Sequence, residues 1–467
     1  MMRLRHLVFF IFFLLFTPGL ANMANMANMV KAAEVVSLEQ YLELVRQNNR
    51  VLQANLRHLE AAYYTVRASV GYQRPSLSTS AGGSYLTRRG RSIFEERDIT
   101  SGNVEVTLSW RISLSDAFSL DEQQQVLNFE SQRARFEDSV NSLMANAEEI
   151  YWTTVFAREN IALQQTILYQ WLENMRITEE KFEQRLIPRL DLVRAESQVV
   201  AAESFVSQAE MEYRNLLLMM ASLAGRIMVT PIEESLVVPE FSISPEIEEA
   251  VLSRPSVRAE RLDLYRSRIA HRLAAKGLSP TLDLGVSWTP LADPWNAAHP
   301  QRGEMAASLR LNIPIIDGNE TRHRTRGAAR SVSASEASLQ SAVDSAITEL
   351  EVALNNWENA LILERDRRRQ VERSNEELDI TELLYHEGMG AQIDLINAQT
   401  ENQRVRTEHL YAVKGIYLAQ IEVRRVIGDY SLSEERETPA FSTNTASAAC
   451  SAFTQCSEGF KTEGAWP

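Results

Sequence analysis

The sequence predicts an α+β chain written as two tandem repeats, each a helix, a pair of strands and a long helical hairpin. Three observations predict it. Segments of the first half recur in the second at a nearly constant offset, and within each half the hydrophobic period switches from helical to two and back. Two uninterrupted helical stretches also exceed anything a globular core could bury. The recurring segments keep their order. Pro75-Ser76-Leu77 returns as Pro280-Thr281-Leu282, 205 positions on. The segment Leu108–Asp116 returns as Leu309–Asp317 and Leu190–Glu196 as Ile393–Gln399, at offsets of 201 and 203. Gly225 meets Gly428 at the last of these shifts.

Residues 1–21 read as a secretory signal. Arg3, Arg5 and His6 precede the apolar run Leu7–Phe16, then come Thr17, Pro18 and the small Gly19 and Ala21. That run is too short to cross a bilayer, which takes about 20 residues. An Ala-Asn-Met repeat follows, so cleavage could fall as late as residue 33, and no cysteine nearby offers a lipid anchor. The first repeat occupies 37–228. Its opening helix, Leu38–Val70, spaces Leu38, Leu42, Val45, Leu52, Leu56 and Leu59 mainly by three and four, and Pro75 stops it. The strand pair lies within 75–116. Val104, Val106, Leu108, Trp110 and Ile112 alternate with polar residues, while Leu77–Tyr85 is a weaker partner and Arg88–Ser101 the polar turn. The hairpin 118–225 joins Phe118–Gln184 to Leu190–Leu223 through Arg185-Leu186-Ile187-Pro188. Residues 229–244 link the halves.

The second repeat, 245–430, runs the same course. The helix Pro245–Lys276 precedes a strand pair within 280–317, in which Leu282, Leu284, Val286 and Trp288 alternate, as do Ala307, Leu309, Leu311 and Ile313. Thr289–Gly303 separates them. The hairpin 319–428 pairs Asn319–His386 with Ile393–Ile427 around Gly388-Met389-Gly390. At 1.5 Å per residue each long helix reaches on the order of 100 Å, so these helices must pack along one another as coiled coil. Residues 431–467, polar and rich in Ser, Thr and Ala, read as a weakly ordered tail.

The alternating strands have one apolar face, which suits either a sheet on a soluble core or a barrel wall facing lipid. The export signal, and the lack of further strands to build a sandwich, favour the wall. Past the signal no stretch of 18 apolar residues occurs, so insertion would need a closed barrel, the remaining way to satisfy backbone groups in lipid. Four strands cannot close one alone, which implies oligomers. Trp110, Trp288, Trp295 and Tyr85 fall near strand ends, where interfacial aromatics sit.

Composition narrows the function classes. Against 48 Lys+Arg stand 62 Asp+Glu, a formal charge of −14, which disfavours nucleic acid as a partner. Phosphate-loop, zinc-helix and nucleophile-turn motifs are missing from the sequence, so no catalytic residue, metal ligand or cofactor is expected. Cys450 and Cys456 could close a small disulfide loop in an oxidising compartment. The runs Arg365–Arg369 and Arg322-His323-Arg324 read as solvated helix faces.

From about Ser37 to Gly428 the chain resembles the TolC-type outer-membrane efflux proteins. The resemblance rests on the tandem halves, on Leu311–Gly318 (LNIPIIDG) leading into a long helix, and on Asp394–Gln399 (DLINAQ) beyond the second turn. It implies a homotrimer in the bacterial outer membrane, each protomer giving four transmembrane strands to one twelve-stranded barrel. The helices would continue the barrel as a coiled-coil tunnel through the periplasm. It further implies passive export of substrates delivered by an inner-membrane pump and a periplasmic adaptor. By position, Arg185, Leu186, Ile187, Gly388, Met389 and Gly390 correspond to the tips that meet the adaptor. Family members often carry Gly-Leu there, so Arg185 and Met389 depart from the pattern. Asp394 corresponds to an aspartate of the pore constriction, and Asn397 stands where some members carry a second. A carboxylate ring would favour cations, and a structural role for Asp394 as helix cap or ion-pair partner is the alternative. Efflux of small molecules is the leading expectation, a type I protein secretion channel the alternative, and a soluble periplasmic coiled-coil scaffold or adaptor the competitor from another class.

Overall fold

The computed structural model describes residues 34–71, 74–89, 96–232, 251–292 and 304–430. Trp295 and the two cysteines lie outside them. The elements in chain order are β1 (Glu34–Val36), α1 (Leu38–Asn48), α2 (Arg50–Gly71), β2 (Ser76–Arg89), β3 (Glu96–Ser113), α3 (Ala117–Glu183) and α4 (Arg189–Leu223). Then follow β4 (Val229–Pro231), α5 (Pro255–Ala274), β5 (Thr281–Ala292), β6 (Glu304–Asn312), α6 (Glu320–His386) and α7 (Gln392–Ile427).

The opening helix breaks where periodicity predicts continuity. Asn49 ends α1 and caps α2, its Oδ1 accepting from the backbone N–H groups of Val51 and Leu52 at 2.9 and 3.2 Å. Asparagine competes with the helix for its own backbone, so it favours such a cap. In the second half Arg254 interrupts the helix at the corresponding place, with Pro255 at the first helical position of α5. The expected linker opens as a strand, since β4 pairs in parallel with β1 and sets Val35 beside Thr230. Three-residue strands show no period in sequence. The strands also reach further than predicted: β2 and β3 pair from Ser76↔Ser109 to Arg89↔Glu96, which takes in much of the expected turn Arg88–Ser101.

The main sheet is antiparallel, in the order β2-β3-β5-β6. Its register puts apolar residues in rows across the strands. Leu77, Leu108, Val286 and Ala307 form one row, Trp110, Leu284 and Leu309 a second, and Ile112, Leu282 and Leu311 a third. The opposite face carries Ser76, Ser109, Gly285 and Ser308, then Arg111, Asp283 and Arg310. Arg111 Nε donates to Asp283 Oδ1 at 2.7 Å across one of these rows. The apolar rows stay uncovered: Trp288 is 52% exposed, and Leu77, Leu309 and Met305 more so.

The helices pack in register with a coiled-coil repeat. On α7 two seams run side by side. Gln392, Ile396, Gln399 and Gln403 face α3, while Leu395, Ala398 and Asn402 face α6. The alternating steps of three and four average 3.5 residues, the spacing that keeps a seam against its neighbour. Along the α3 seam, Asn174 Nδ2 donates to Gln399 Oε1 at 2.8 Å, and Gln164 Nε2 reaches Thr407 Oγ1. Near the other end of α7 the buried Glu148 of α3 accepts from Arg424 Nη1 at 3.0 Å and from the Tyr430 hydroxyl at 2.5 Å. Burial first, and then the Glu148 carboxylate, push the Tyr430 phenol well above its usual range.

Removing the Glu148 carboxylate leaves the buried Tyr430 hydroxyl without its acceptor, which costs about 2 kcal/mol, while Arg424 keeps its pair with Asp429. Glu148→Ala should therefore lower the heat-denaturation midpoint clearly, followed by the loss of helical circular dichroism. Arg404→Ala, which breaks exposed pairs with Glu401 and Glu408 on a single helix, should leave that midpoint where it is.

Candidate functional site: the hairpin tips and the first turn of α7

Both long helices end in the same turn. After α3, Arg185 takes a left-handed conformation at φ 61°, and after α6 Gly388 does so at φ 73°. The Arg185 N–H donates to the Phe182 carbonyl and the Leu186 N–H to the Lys181 carbonyl. The N–H groups of Gly388 and Met389 make the equivalent bonds to Tyr385 and Leu384. Each is a Schellman motif, which satisfies the last carbonyls of the helix. Arginine thus adopts the geometry that glycine takes in the second tip, at the backbone cost of placing Cβ against the neighbouring carbonyl.

In this motif the residue after the left-handed position commonly packs back on the helix. Here it does not. Leu186 is 68% exposed and Met389 72%, and Leu190 and Ile393 on the following helices are exposed as well. Ile187 is half-buried, as is Gly390, whose Cβ position lies 3.2 Å from the Tyr385 nitrogen. The six residues singled out in sequence therefore divide into two tips that offer an apolar side chain each.

The two tips are tied together inside the chain. Lys181 Nζ donates to the Tyr385 carbonyl at 2.9 Å and lies 3.6 Å from the centre of the Tyr385 ring. Burial holds the Lys181 ammonium below its usual range. Gln392 Nε2 donates both to Thr178 Oγ1 at 3.2 Å and to the Asp191 carbonyl at 3.1 Å. These ties escaped the sequence reading. Their signal was present, since Gln164, Trp171, Asn174 and Thr178 recur at coiled-coil spacing on α3, but polar residues at such spacing read as surface.

Asp394 stands at the third position of α7, in its first turn, with the backbone of Ala391 as the cap. It is exposed, and so is Asn397 one turn on, so the two share a face. Among the described residues neither side chain has a hydrogen-bond or ion-pair partner. Asp191 occupies the same place on α4 but is half-buried and pairs with Arg194 at 3.4 Å. No group of His, Cys, Asp and Glu among the described residues could hold a metal ion. The arrangement offers exposed carboxylate and apolar tips, and no set of unlike groups converging on a substrate.

The family model described as outer membrane efflux protein matches residues 41–226 and again 247–429. Nodulation protein T of Rhizobium leguminosarum bv. viciae is 21% identical over 371 residues, 78% of this chain and 76% of that protein. Protein CyaE of Bordetella pertussis is 25% identical over 381 residues, 76% of each. Among solved structures, the CmeC outer membrane channel of Campylobacter jejuni superposes with a TM-score of 0.75 at 17% identity, covering 85% of this chain and 87% of that one.

The turn geometry sets opposite outcomes for two substitutions. Arg185→Gly should stabilise the first tip by about 1 kcal/mol, and Gly388→Ala should destabilise the second by a similar amount, since nothing but backbone strain opposes its Cβ. Hydrogen exchange at the Leu186 and Met389 amides reads both: slower in the first variant, faster in the second.

Proposed function

This chain belongs to the outer membrane efflux protein family, non-enzymatic channels of the outer membrane, and we propose that three copies assemble one export duct. In this reading the two matched segments, 41–226 and 247–429, fall within tandem repeats at 37–228 and 245–430, joined by 229–244, preceded by a signal at 1–21 and followed by a tail at 431–467. Each protomer contributes its four strands to a twelve-stranded barrel, and the helical hairpins extend the barrel into the periplasm.

The observation that carries the reading is the uncovered apolar face of a sheet whose outer strands, β2 and β6, each have one partner. Open edges and an apolar face are both liabilities in water. Lipid forbids open edges outright, so insertion demands closure by further copies. The helices support the same need. The helices α3 and α6 are equally long, yet α6 buries a third as many residues and exposes Ile347, Val352, Ile362, Ile380 and Leu383 along its length. An edge helix of this kind suits a neighbouring copy.

At the far end, the tips Arg185-Leu186-Ile187 and Gly388-Met389-Gly390 meet a periplasmic adaptor that couples the duct to an inner-membrane pump. Leu186 and Met389, free of the helices that carry them, supply apolar contacts. Asp394 lines the constriction, with Asn397 beside it as a neutral neighbour. A ring of three carboxylates attracts cations and repels anions. Asn397 adds no charge, so one ring alone sets the preference.

Detergent extracts of the isolated outer-membrane fraction should yield the native mass of a trimer; a monomer, or protein confined to the soluble periplasm, would overturn the channel. In planar bilayers Asp394→Ala should lower the ratio of cation to anion permeability, and an unchanged ratio would remove Asp394 from the pore.

A further inference from the structure

The junction between β6 and α6 carries a patch that export through the lumen does not use. Ile313, Ile315 and Ile316 are exposed there, the last two by 84% and 89%. Ile313 and Ile315 keep the odd-numbered parity of Met305, Leu309 and Leu311, the uncovered apolar face of β6. Asp317 then caps the next helix, its Oδ2 accepting from the Thr321 N–H at 2.7 Å. The first three turns of α6 hold Arg322, Arg324, Arg326 and Arg330 against one acid, Glu320, and Arg324 takes that acid at 2.5 Å.

Arg322, Arg326 and Arg330 recur every four residues, so they line one face of the helix. All three are exposed, and among the described residues none has an ion-pair or side-chain hydrogen-bond partner. Like charges at this spacing repel, and they stand near the positive end of the α6 dipole. A chain of net charge −14 keeps three unneutralised arginines together here. A second copy offers no remedy through α2, which packs on α3. Its single acid, Glu60, already pairs with Arg57 at 2.7 Å, and Arg67 adds another cation.

We propose that this junction binds anionic phospholipid headgroups of the periplasm-facing leaflet, with the isoleucines at the acyl boundary and the arginines on the phosphates. The inference rests on the outer-membrane channel reading. Guanidinium groups match phosphate oxygens in pairs, and basic clusters just outside a membrane-embedded segment recognise acidic lipid. Arg322 to Arg330 spans about 12 Å of helix at 1.5 Å per residue. A headgroup layer is roughly 5–7 Å deep, so Arg322, about 3 Å from the helix start, falls within it. Arg326, at about 9 Å, reaches it with its side chain. Arg330 reaches back toward it along its own apolar stem.

The full-length protein in neutral detergent, mixed with phosphatidylglycerol or phosphatidylcholine, gives the test by native mass spectrometry. Phosphatidylglycerol should be retained about tenfold over phosphatidylcholine, with the preference weakening as salt rises. The variant R322Q/R326Q/R330Q should lose that preference, and R322K/R326K/R330K should keep most of it. A glutamine variant that keeps the parent's preference overturns the proposal. So does one that no longer assembles as the parent does, since the row would then belong to a contact between copies. A change in anion conductance across planar bilayers with lipid retention unaltered would assign the arginines to the lumen instead. The same spectra separate this inference from the reading beneath it: a trimer without lipid preference defeats the inference alone, whereas a monomer defeats the channel.

Discussion

A four-stranded sheet that can neither bury its apolar face nor pair its outer edges is the constraint from which the rest of the chain follows. One row runs straight across from Leu77 on β2 to Ala307 on β6, and two more run from β3 to β6, so the pattern reaches the outer strands. A soluble sheet of this kind would be capped by a helix or blunted by charge at its edges. Here Ser76, Ser78 and Ser80 line one face of β2, and Leu309 and Leu311 stay exposed on β6. Lateral closure would remove both defects in one event, because each new copy would pair an edge and extend the apolar face. The long helices show the same imbalance, since α6, equal in length to α3, is much more exposed.

The coiled-coil seams meet that requirement with specificity more than with apolar area. Helices of this length have many near-equivalent registers, and a seam of leucine and alanine alone would discriminate poorly among them. Amides at Asn174, Gln392, Gln399 and Asn402 change this, because a slip of one turn would leave each of them buried without its partner. The same logic applies to Glu148, whose bonds to Arg424 and Tyr430 fix the last turn of α7 against α3. A polar seam contributes little net stability and strongly penalises misalignment. For a duct whose helix ends must fall at one level, alignment is the property that counts.

The long helices, their turns and the strand alternation were legible in sequence because each is a local pattern repeated many times. Ala117–Glu183 and Glu320–His386 lie within a residue of the periods that predict them. The break at Asn49 and the strands β1 and β4 were not legible, since a single cap or three paired residues leaves no period. The ties between tips were hidden for a different reason. Lys181 lies 204 positions from Tyr385, and Thr178 lies 214 from Gln392, and each is an ordinary helix residue until the coil aligns them. Asp394 was found by resemblance, and its exposure without a partner is what the local sequence could not supply.

The two halves have divided their tasks while keeping their turns. Asp191 and Asp394 hold the same position in the first turn of a return helix, yet one is half-buried and paired with Arg194 while the other is exposed and free. Arg185 and Gly388 hold the same left-handed place, one at a backbone cost and the other without it. The helix α3 lies between α4 and α7 and packs on both, whereas α6 packs along α7 and touches α3 at Ile177 and Lys181. Interior position ties the first half's polar groups into contacts within the chain. An edge position leaves those of the second half available to solvent, cargo or a neighbouring copy. The two hairpins therefore share one turn geometry, and their different packing within the chain leaves Asp191 paired and Asp394 exposed.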